Sequence, residues 1–191
     1  NDLVRPLSQK LKKSFKKIIL STKVTQIDNN DNNVTVHFES KDEKISKENF
    51  DIVLVAVGRK PNTNNIGLNN LNISVDKKGF ILVNNKQQTR LPHIYAIGDA
   101  TGEPMLAHKA SHEGKVAAEV ICDLSSVFEP SIIPAVIFTD PEIAWAGPTE
   151  SELKKQGIKY EKAEFPWAAS GKALSIDQIE GKTKLLFDSQ S

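Results

Sequence analysis

The sequence predicts a fold of mixed α/β and α+β class. Residues 51–57 form a continuous apolar run, and residues 94–99 form a strand-like segment that ends in Gly-Asp ahead of a helical pattern. From residue 135 onward, short strand-like segments surround one helix without a Gly-rich turn. The first two features are typical of parallel sheets with helical connections, and the third is typical of a separate α+β domain.

Length and composition are those of an ordinary globular protein. The 191 residues are 39% hydrophobic and 26% charged, which permits a sizeable core. The formal net charge of +1 favours neither a nucleic acid nor a membrane surface as a partner. Cys122 is the single cysteine, which excludes a disulfide framework and an intrachain redox pair. We therefore expect a reducing, cytoplasmic compartment.

The first part of the chain predicts a helix followed by an antiparallel meander. Apolar residues recur at every fourth position from Leu3 to Phe15, and Asp2 is placed to cap the helix. Alternating segments separated by Asn/Asp-rich turns predict three strands. These strands are residues 23–27, 34–38 and 43–45.

Residues 51–57 predict a strand of a different kind, buried on both faces of a parallel sheet. The strand ends at Gly58, and the Asn-rich residues 62–72 that follow predict a linker and a domain boundary.

Beyond the linker, residues 79–83 and 94–96 predict strands, and residues 105–122 predict a helix. A strand, a Gly-Asp turn and a helix in this order form half of a dinucleotide-binding unit. Thr149, Glu152 and Gly157 are spaced as the capping box and C-terminal glycine of a later helix. Further strands are predicted at residues 135–138, 143–145, 160–165 and 182–187.

Asp99 is the candidate binding residue, because the Gly-Asp turn places its carboxylate at the carboxyl edge of a sheet. A carboxylate there accepts hydrogen bonds from ribose or ribityl hydroxyls, and Gly98 permits close approach of the backbone. The following helix directs free N–H groups at the same crevice, which suits a flavin ring walled by Met105, Leu106 and Ala107. The local sequence supports equally the alternative that Asp99 only caps the helix or its turn.

Five ordered motifs resemble those of the two-domain flavoprotein disulfide reductases, also called class I pyridine nucleotide-disulfide oxidoreductases. TRLPHIYAIGD resembles their second flavin motif, and VLVAVGRKPN resembles the segment that closes their nicotinamide domain. PMLAHKASHEG is more selective and resembles the dihydrolipoyl dehydrogenases. PAVIFTDPE and FPWAASG resemble the opening of the interface domain. These motifs occupy residues 89–99, 53–62, 104–114, 134–142 and 165–171.

The resemblance implies three parts of a larger flavoprotein. Residues 1–62 would end a Rossmann-like NAD-binding domain, residues 63–127 would form the central FAD-binding segment, and residues 128–191 would begin the α+β dimerisation domain. It also implies two sets of cofactor-binding residues. The FAD set is Gly98, Asp99, Met105, Leu106, Ala107 and His108. The NAD set is Val24, Ala56, Val57, Gly58 and Arg59.

The activity implied by the resemblance is oxidation of dihydrolipoyl groups, with electrons passing through a cysteine pair and FAD to NAD. The implied partners are a second copy of the chain and the lipoyl-bearing acyltransferase core of a 2-oxo acid dehydrogenase complex. The sequence has no G-x-G-x-x-G turn, no cysteine pair and no His-Pro motif with a downstream glutamate. We therefore interpret it as a fragment without the catalytic residues. The alternatives are another reductase, of mercuric or glutathione type, and a truncated non-catalytic binding chain.

His108 and His112 are four residues apart on the predicted helix, a spacing that occurs in metal sites. The pattern suggests no third ligand, and the sequence therefore predicts no metal site.

Overall fold

The computed structural model describes residues 2–40 and 46–188, and these divide into two units. The first unit contains Asn1–Val57, Thr139–Pro141 and Pro166–Lys182. The second contains Gly58–Phe138, Glu142–Phe165 and Thr183–Ser191.

The first unit begins with helix α1, Val4–Ser14, whose Leu7 side chain is buried as the apolar spacing predicts. The prediction that Asp2 caps this helix is wrong, because Leu3 is the N-cap and no side chain caps it. Asp2 stands one residue ahead of the N-cap, and a capping side chain must sit at the N-cap to reach the first helical amides.

Three antiparallel strands follow, in the order β1-β2-β3. They are β1 (Thr22–Asn29), β2 (Val34–Ser40) and β3 (Ser46–Phe50). The predicted strands at residues 23–27 and 34–38 are confirmed, and the one predicted at residues 43–45 lies outside the described residues. The turn between β1 and β2 is closed by the Asn30 N–H, which donates to the Asn33 carbonyl at 2.9 Å.

The predicted buried strand at residues 51–57 is wrong for this structure. These residues belong to no strand, and the side chains of Ile52 and Val57 are 86% and 92% exposed. A strand that is apolar on both sides needs hydrogen-bonded neighbours and two covering layers. No strand in residues 2–40 or 46–188 pairs with it.

In the second unit, the strands predicted at residues 79–83 and 94–96 are reduced to two isolated bridges, Val75–Ile81 and Gln88–Tyr95. Asp76 accepts hydrogen bonds from the backbone N–H groups of Lys78 and Phe80, at 2.8 and 2.9 Å. Such side-chain acceptors stabilise tight turns in competition with a strand ladder, which explains the difference.

The helix predicted at residues 105–122 is confirmed as α2, Ala107–Ile121, and Val116 and Ala117 on it are buried. A short 3-10 turn, Gly98–Ala100, precedes it. Gly114 allows the helix to approach this turn, because a Cβ there would lie 3.3 Å from Ile97 Cδ1.

The later strands form two hydrogen-bonded pairs. β4 (Ala135–Ile137) pairs antiparallel with β5 (Ile143–Trp145), and β6 (Tyr160–Pro166) pairs with β7 (Lys182–Asp188). The predicted capping box of helix α3 (Glu150–Gln156) is confirmed: the Glu152 N–H donates to Thr149 Oγ1, and the Thr149 N–H donates to Glu152 Oε2. Gly157 ends α3 at a φ of 70°. A short helix, α4 (Gly171–Ser175), lies between β6 and β7 in the chain.

Glu150 joins α3 to the β6-β7 pair. Its carboxylate accepts from Lys184 Nζ at 2.6 Å and from the Tyr160 hydroxyl at 2.8 Å, with Lys162 Nζ at 3.6 Å. The hydrogen bond from Lys184, then that from Tyr160, lowers the pKa of Glu150 to about 2. A carboxylate that prefers its charged form in the folded state favours folding once it is ionised.

Acid should therefore weaken this part of the second unit. The stabilisation from Glu150 is complete above the unfolded pKa of about 4.3 and is lost as the pH falls toward about 2. Glu150→Gln should be less stable than wild type at pH 7, and the difference should vanish near the low end of this window. Hydrogen exchange of the α3 amides measures it, with the exposed Glu161→Gln on β6 as control. An equal wild-type–variant difference at pH 7 and at pH 2 would contradict the assignment.

No helix within residues 2–40 and 46–188 has the length and apolar character needed to cross a membrane.

Candidate functional site

The Gly98–Ala100 turn has a backbone that only glycine adopts easily. Gly98 has a φ of +74°, in the left-handed region that favours glycine. A Cβ built on it would lie 3.1 Å from Ala110 Cβ on α2. Both the backbone conformation and the closeness of α2 therefore require a glycine before Asp99.

A buried ion pair on α2 holds this glycine. Lys109 Nζ lies 2.8 Å from Glu113 Oε1, and the two side chains are 5% and 4% exposed. The Gly98 N–H donates to Glu113 Oε2 at 2.6 Å, and Lys109 Nζ donates to the Gly98 carbonyl at 3.3 Å. Thr101 Oγ1 also donates to this carbonyl, at 2.9 Å.

The sequence analysis did not identify Lys109 and Glu113 as site residues. Their position in the sequence could have identified them, because they lie at helical spacing from the buried Val116 and Ala117. Charged side chains on the face of a helix that its apolar residues bury are rare unless they are paired.

The N-terminus of α2 is open to a ligand. Leu106 is the N-cap, no side chain caps the helix, and no acidic residue lies in its first turn. The first intrahelical bond joins the Ala110 N–H to the Leu106 carbonyl at 3.1 Å. The amides of Ala107 and His108 have no acceptor within the helix, and they form its positive end.

Asp99 lies in the turn with a side chain that is 47% exposed. It does not cap α2, because Leu106 holds that position. Arg59 Nη1 approaches Asp99 Oδ2 at 3.5 Å, and this arginine is 71% exposed. Exposed pairs of this kind contribute little to stability, so the carboxylate is free to exchange this partner for ligand hydroxyls.

The structure thus brings Arg59, predicted to border NAD, to Asp99, predicted to bind FAD. Gly58, with a φ of +117°, and Arg59 belong to the second unit. The other three residues predicted to bind NAD belong to the first unit, where Val24 lies on β1 and Ala56 and Val57 lie in the unpaired segment. Their role stays a prediction.

The two histidines of α2 make separate contacts. His108 Nε2 lies 2.8 Å from the Pro134 carbonyl oxygen. The His112 ring packs edge-on against Phe128, with 5.0 Å between the ring centroids.

Chemically, the turn and the helix offer complementary groups to one ligand. Asp99 supplies an accessible acceptor for hydroxyl groups, and the uncapped start of α2 supplies N–H donors and positive potential for an electron-rich carbonyl. Met105 and Leu106, both half-buried, provide an apolar border. This donor set fits a ligand with a polyhydroxyl chain and a planar ring that bears carbonyl oxygens.

Comparison with known proteins identifies the family. Residues 2–114 match the model described as pyridine nucleotide-disulphide oxidoreductase, and residues 133–191 match the dimerisation domain of the same family. The chain belongs to the pyridine nucleotide-disulphide oxidoreductases.

Several curated relatives of this oxidoreductase are named dihydrolipoyl dehydrogenase. That of Vibrio parahaemolyticus is 46% identical over 190 residues, which cover 100% of this chain and 40% of that protein. That of Haemophilus influenzae is 48% identical over 187 residues, covering 98% and 39%. The chain therefore spans about two fifths of the length of these relatives.

Solved structures share the fold of this oxidoreductase. The HOCl-induced flavoprotein disulfide reductase RclA from Escherichia coli superposes with a TM-score of 0.88 at 23% identity, covering 100% of this chain and 43% of that one. LpdA from Mycobacterium tuberculosis superposes with a TM-score of 0.82 at 22% identity, covering 97% and 40%. The mixed α/β and α+β class predicted from the sequence is confirmed.

Proposed function

We propose that the chain is the middle-to-late part of a dihydrolipoyl dehydrogenase that uses FAD and NAD. The observation that carries the proposal is the Gly98–Asp99 turn beside the uncapped start of α2, in a chain 46% identical over 190 residues to a dihydrolipoyl dehydrogenase. The reaction is oxidation of dihydrolipoyl groups of 2-oxo acid dehydrogenase complexes with reduction of NAD+. When bound, FAD supplies two-electron transfer between a dithiol–disulfide pair and the nicotinamide.

The residues of the second unit bind and orient the flavin. Asp99 accepts hydrogen bonds from the ribityl hydroxyls, and Gly98 keeps the backbone close enough for that contact. The Ala107 N–H donates to the flavin ring, where the positive end of α2 favours electron density. Met105, Leu106 and His108 border the ring, and Met105 and Leu106 keep water from it.

The NAD side of the proposal rests on a second set of residues. Gly58 and Arg59, with the backbone of Ala56 and Val57, border the nicotinamide cofactor, and Val24 lies at its adenosine end. The cation of Arg59 suits a site for an anionic dinucleotide, and its 3.5 Å approach to Asp99 brings that charge to the flavin turn.

The domain division follows from the same proposal. Residues 1–62 end the NAD-binding domain, residues 63–127 close the FAD site, and residues 128–191 open the dimerisation domain. The protein acts as a homodimer in the cytoplasm, and the partner's interface domain completes each flavin site. Its larger partner is the lipoyl-bearing acyltransferase core of the complex.

Catalysis itself depends on groups outside this sequence. Cys122 is the single cysteine, and it is exposed after the last residue of α2. A redox-active disulfide needs two cysteines, so the 191-residue chain alone should produce no NADH from dihydrolipoamide. NADH formation by the purified 191-residue chain would overturn this expectation.

Asp99→Ala in the complete protein tests the site. Loss of hydrogen bonds to a charged acceptor should raise the Kd for FAD by about tenfold or more. Titration of the flavin-free protein with FAD, followed by flavin fluorescence, measures it. Asp123→Asn is the control, because this exposed carboxylate lies past the other end of α2 and asparagine tolerates its left-handed φ of 59°.

The outcomes separate the site from the function. An Asp99→Ala variant that binds FAD as tightly as wild type overturns the role of Asp99. A complete wild-type protein that binds no FAD, or that reduces glutathione disulfide or mercuric ion in place of oxidising dihydrolipoamide, overturns the proposed function.

A further inference from the structure

The buried Lys109–Glu113 pair has no part in the binding roles proposed above. We infer that these two are positioning residues: they hold Gly98 so that the Asp99 carboxylate and the start of α2 face the flavin together. This inference rests on the proposed FAD site. Neither side chain needs to touch the cofactor, since both act through the backbone of Gly98.

The two hydrogen bonds act on different peptide groups. The Gly98 N–H, which donates to Glu113 at 2.6 Å, belongs to the peptide between Ile97 and Gly98. The Gly98 carbonyl, which accepts from Lys109 at 3.3 Å, belongs to the peptide that leads into Asp99. Holding both peptide planes fixes φ and ψ of the intervening residue. The orientation of the peptide group that leads into Asp99 is therefore defined.

Glycine makes this restraint necessary. At a φ of +74°, Gly98 occupies one of several regions that are open to a residue without a Cβ. A turn built on glycine is adaptable, and a binding carboxylate next to it must be fixed to bind tightly. Thr101 already holds the Gly98 carbonyl through its N–H and its hydroxyl, at 3.0 and 2.9 Å. The ion pair adds an acceptor for the Gly98 N–H, and it ties the turn to the helix whose N-terminus faces the same ligand.

The burial of the Lys109–Glu113 pair indicates that it positions Gly98 more than it stabilises the fold. Its side chains are 5% and 4% exposed, so both charges have lost most of their hydration. Apolar residues of similar size at such positions are often as stabilising as the pair or more so. What they cannot provide is a directed acceptor for one peptide and a directed donor for the next.

The test compares three double variants of the complete protein after removal of its flavin. Lys109→Met with Glu113→Leu removes both hydrogen bonds and both charges while keeping an apolar filling. Lys109→Met with Glu113→Gln also removes both charges but keeps an amide oxygen for the Gly98 N–H. The matched control changes the more accessible i,i+4 pair on the same helix, Lys115→Met with Glu119→Gln, which keeps an amide oxygen for the Ser126 hydroxyl.

We expect the Met/Leu variant to raise the Kd for FAD by about tenfold or more and to alter the visible circular dichroism of the bound flavin. Its thermal midpoint without flavin should stay close to that of the wild type. The Met/Gln variant should recover part of the affinity, and the control pair should behave as wild type. Equal FAD affinity in the Met/Leu variant, the Met/Gln variant and the wild type overturns the inference.

Folding and function are separated in this design. If the Met/Leu variant does not fold, the Met/Gln variant decides, because it leaves no unpaired charge, keeps an acceptor for the Gly98 N–H and lacks the donor to the Gly98 carbonyl. Its Kd should rise several-fold, and an unchanged Kd overturns the inference. If the wild-type protein binds no FAD, the proposed function is refuted. If the wild type binds FAD and the Met/Leu variant binds it with the same Kd, only the positioning role is refuted.

Discussion

Glu113→Leu should reduce the local stability of α2 by about 3–5 kcal/mol, because it leaves the Lys109 ammonium buried without its counter-charge. It also leaves the Gly98 N–H without its acceptor. Replacing Lys109 by Met and Glu113 by Leu together should cost far less than Glu113→Leu alone, since no unpaired charge remains. Native-state hydrogen exchange of the α2 amides in the flavin-free complete protein measures these differences.

The control is the second i,i+4 pair of α2, whose Lys115 and Glu119 are 73% and 31% exposed, with 3.7 Å between Nζ and Oε1. Lys115→Met should change the local stability by about 0.5 kcal/mol or less, because water solvates the ammonium and Glu119 keeps its hydrogen bond from the Ser126 hydroxyl. If Glu113→Leu costs no more than this control, Lys109 is not held in a desolvated site and the burial argument fails. If the double variant costs as much as the single one, the loss comes from packing and not from charge.

Elements that depend on neighbouring residues in the sequence could be predicted. The capping box of α3 uses Thr149 and Glu152, three positions apart, and it forms as predicted. The β1-β2 pairing depends on a short turn between two alternating segments, and it also forms. In each case the stabilising hydrogen bonds join residues that are close in the chain, so the pattern contains the information.

The segment at residues 51–57 could not be predicted in the same way. Its composition is that of a central strand, but a central strand exists only where other strands flank it, and no strand among the described residues does so. Near Phe80 the cause is local. Asp76 accepts two backbone hydrogen bonds and stabilises a turn where the apolar residues predicted a strand.

The candidate site shows the same difference between local contacts, which could be predicted, and long-range contacts, which could not. The Gly98–Asp99 turn and the start of α2 follow from local residue types, and both lie where they were predicted. The contact between Glu113 and Gly98 spans 15 residues and depends on how α2 packs against the turn. Sequence periodicity indicates that Glu113 faces inward, but it does not indicate which backbone amide the side chain meets.

Gly98→Ala should be the most damaging small substitution in the turn, at about 3 kcal/mol of local stability. Two costs add: a left-handed backbone at φ +74° for a residue with a Cβ, and the 3.1 Å approach of that Cβ to Ala110. Hydrogen exchange of the α2 amides measures the loss. The same variant should bind FAD at least about tenfold more weakly, because Asp99 moves with the turn.

Gly157→Ala separates the two costs. Gly157 has a φ of +70°, nearly that of Gly98, but a Cβ on it would meet nothing within 4 Å. Its substitution should therefore cost only the backbone term, about 1–2 kcal/mol, measured on the α3 amides.

Combining Gly98→Ala with Ala110→Gly removes the contact and keeps the backbone strain. The helix-propensity cost of Ala110→Gly, measured alone, is first subtracted. The remaining stability loss of the double variant should then fall from that of Gly98→Ala to about that of Gly157→Ala. If the double variant recovers nothing, the contact with α2 carries no energy, and the requirement for glycine comes from φ alone. FAD affinity gives the functional outcome. The double variant lacks the contact with α2 but keeps the strained backbone. It should regain FAD affinity only if the N–H of residue 98 still donates to Glu113.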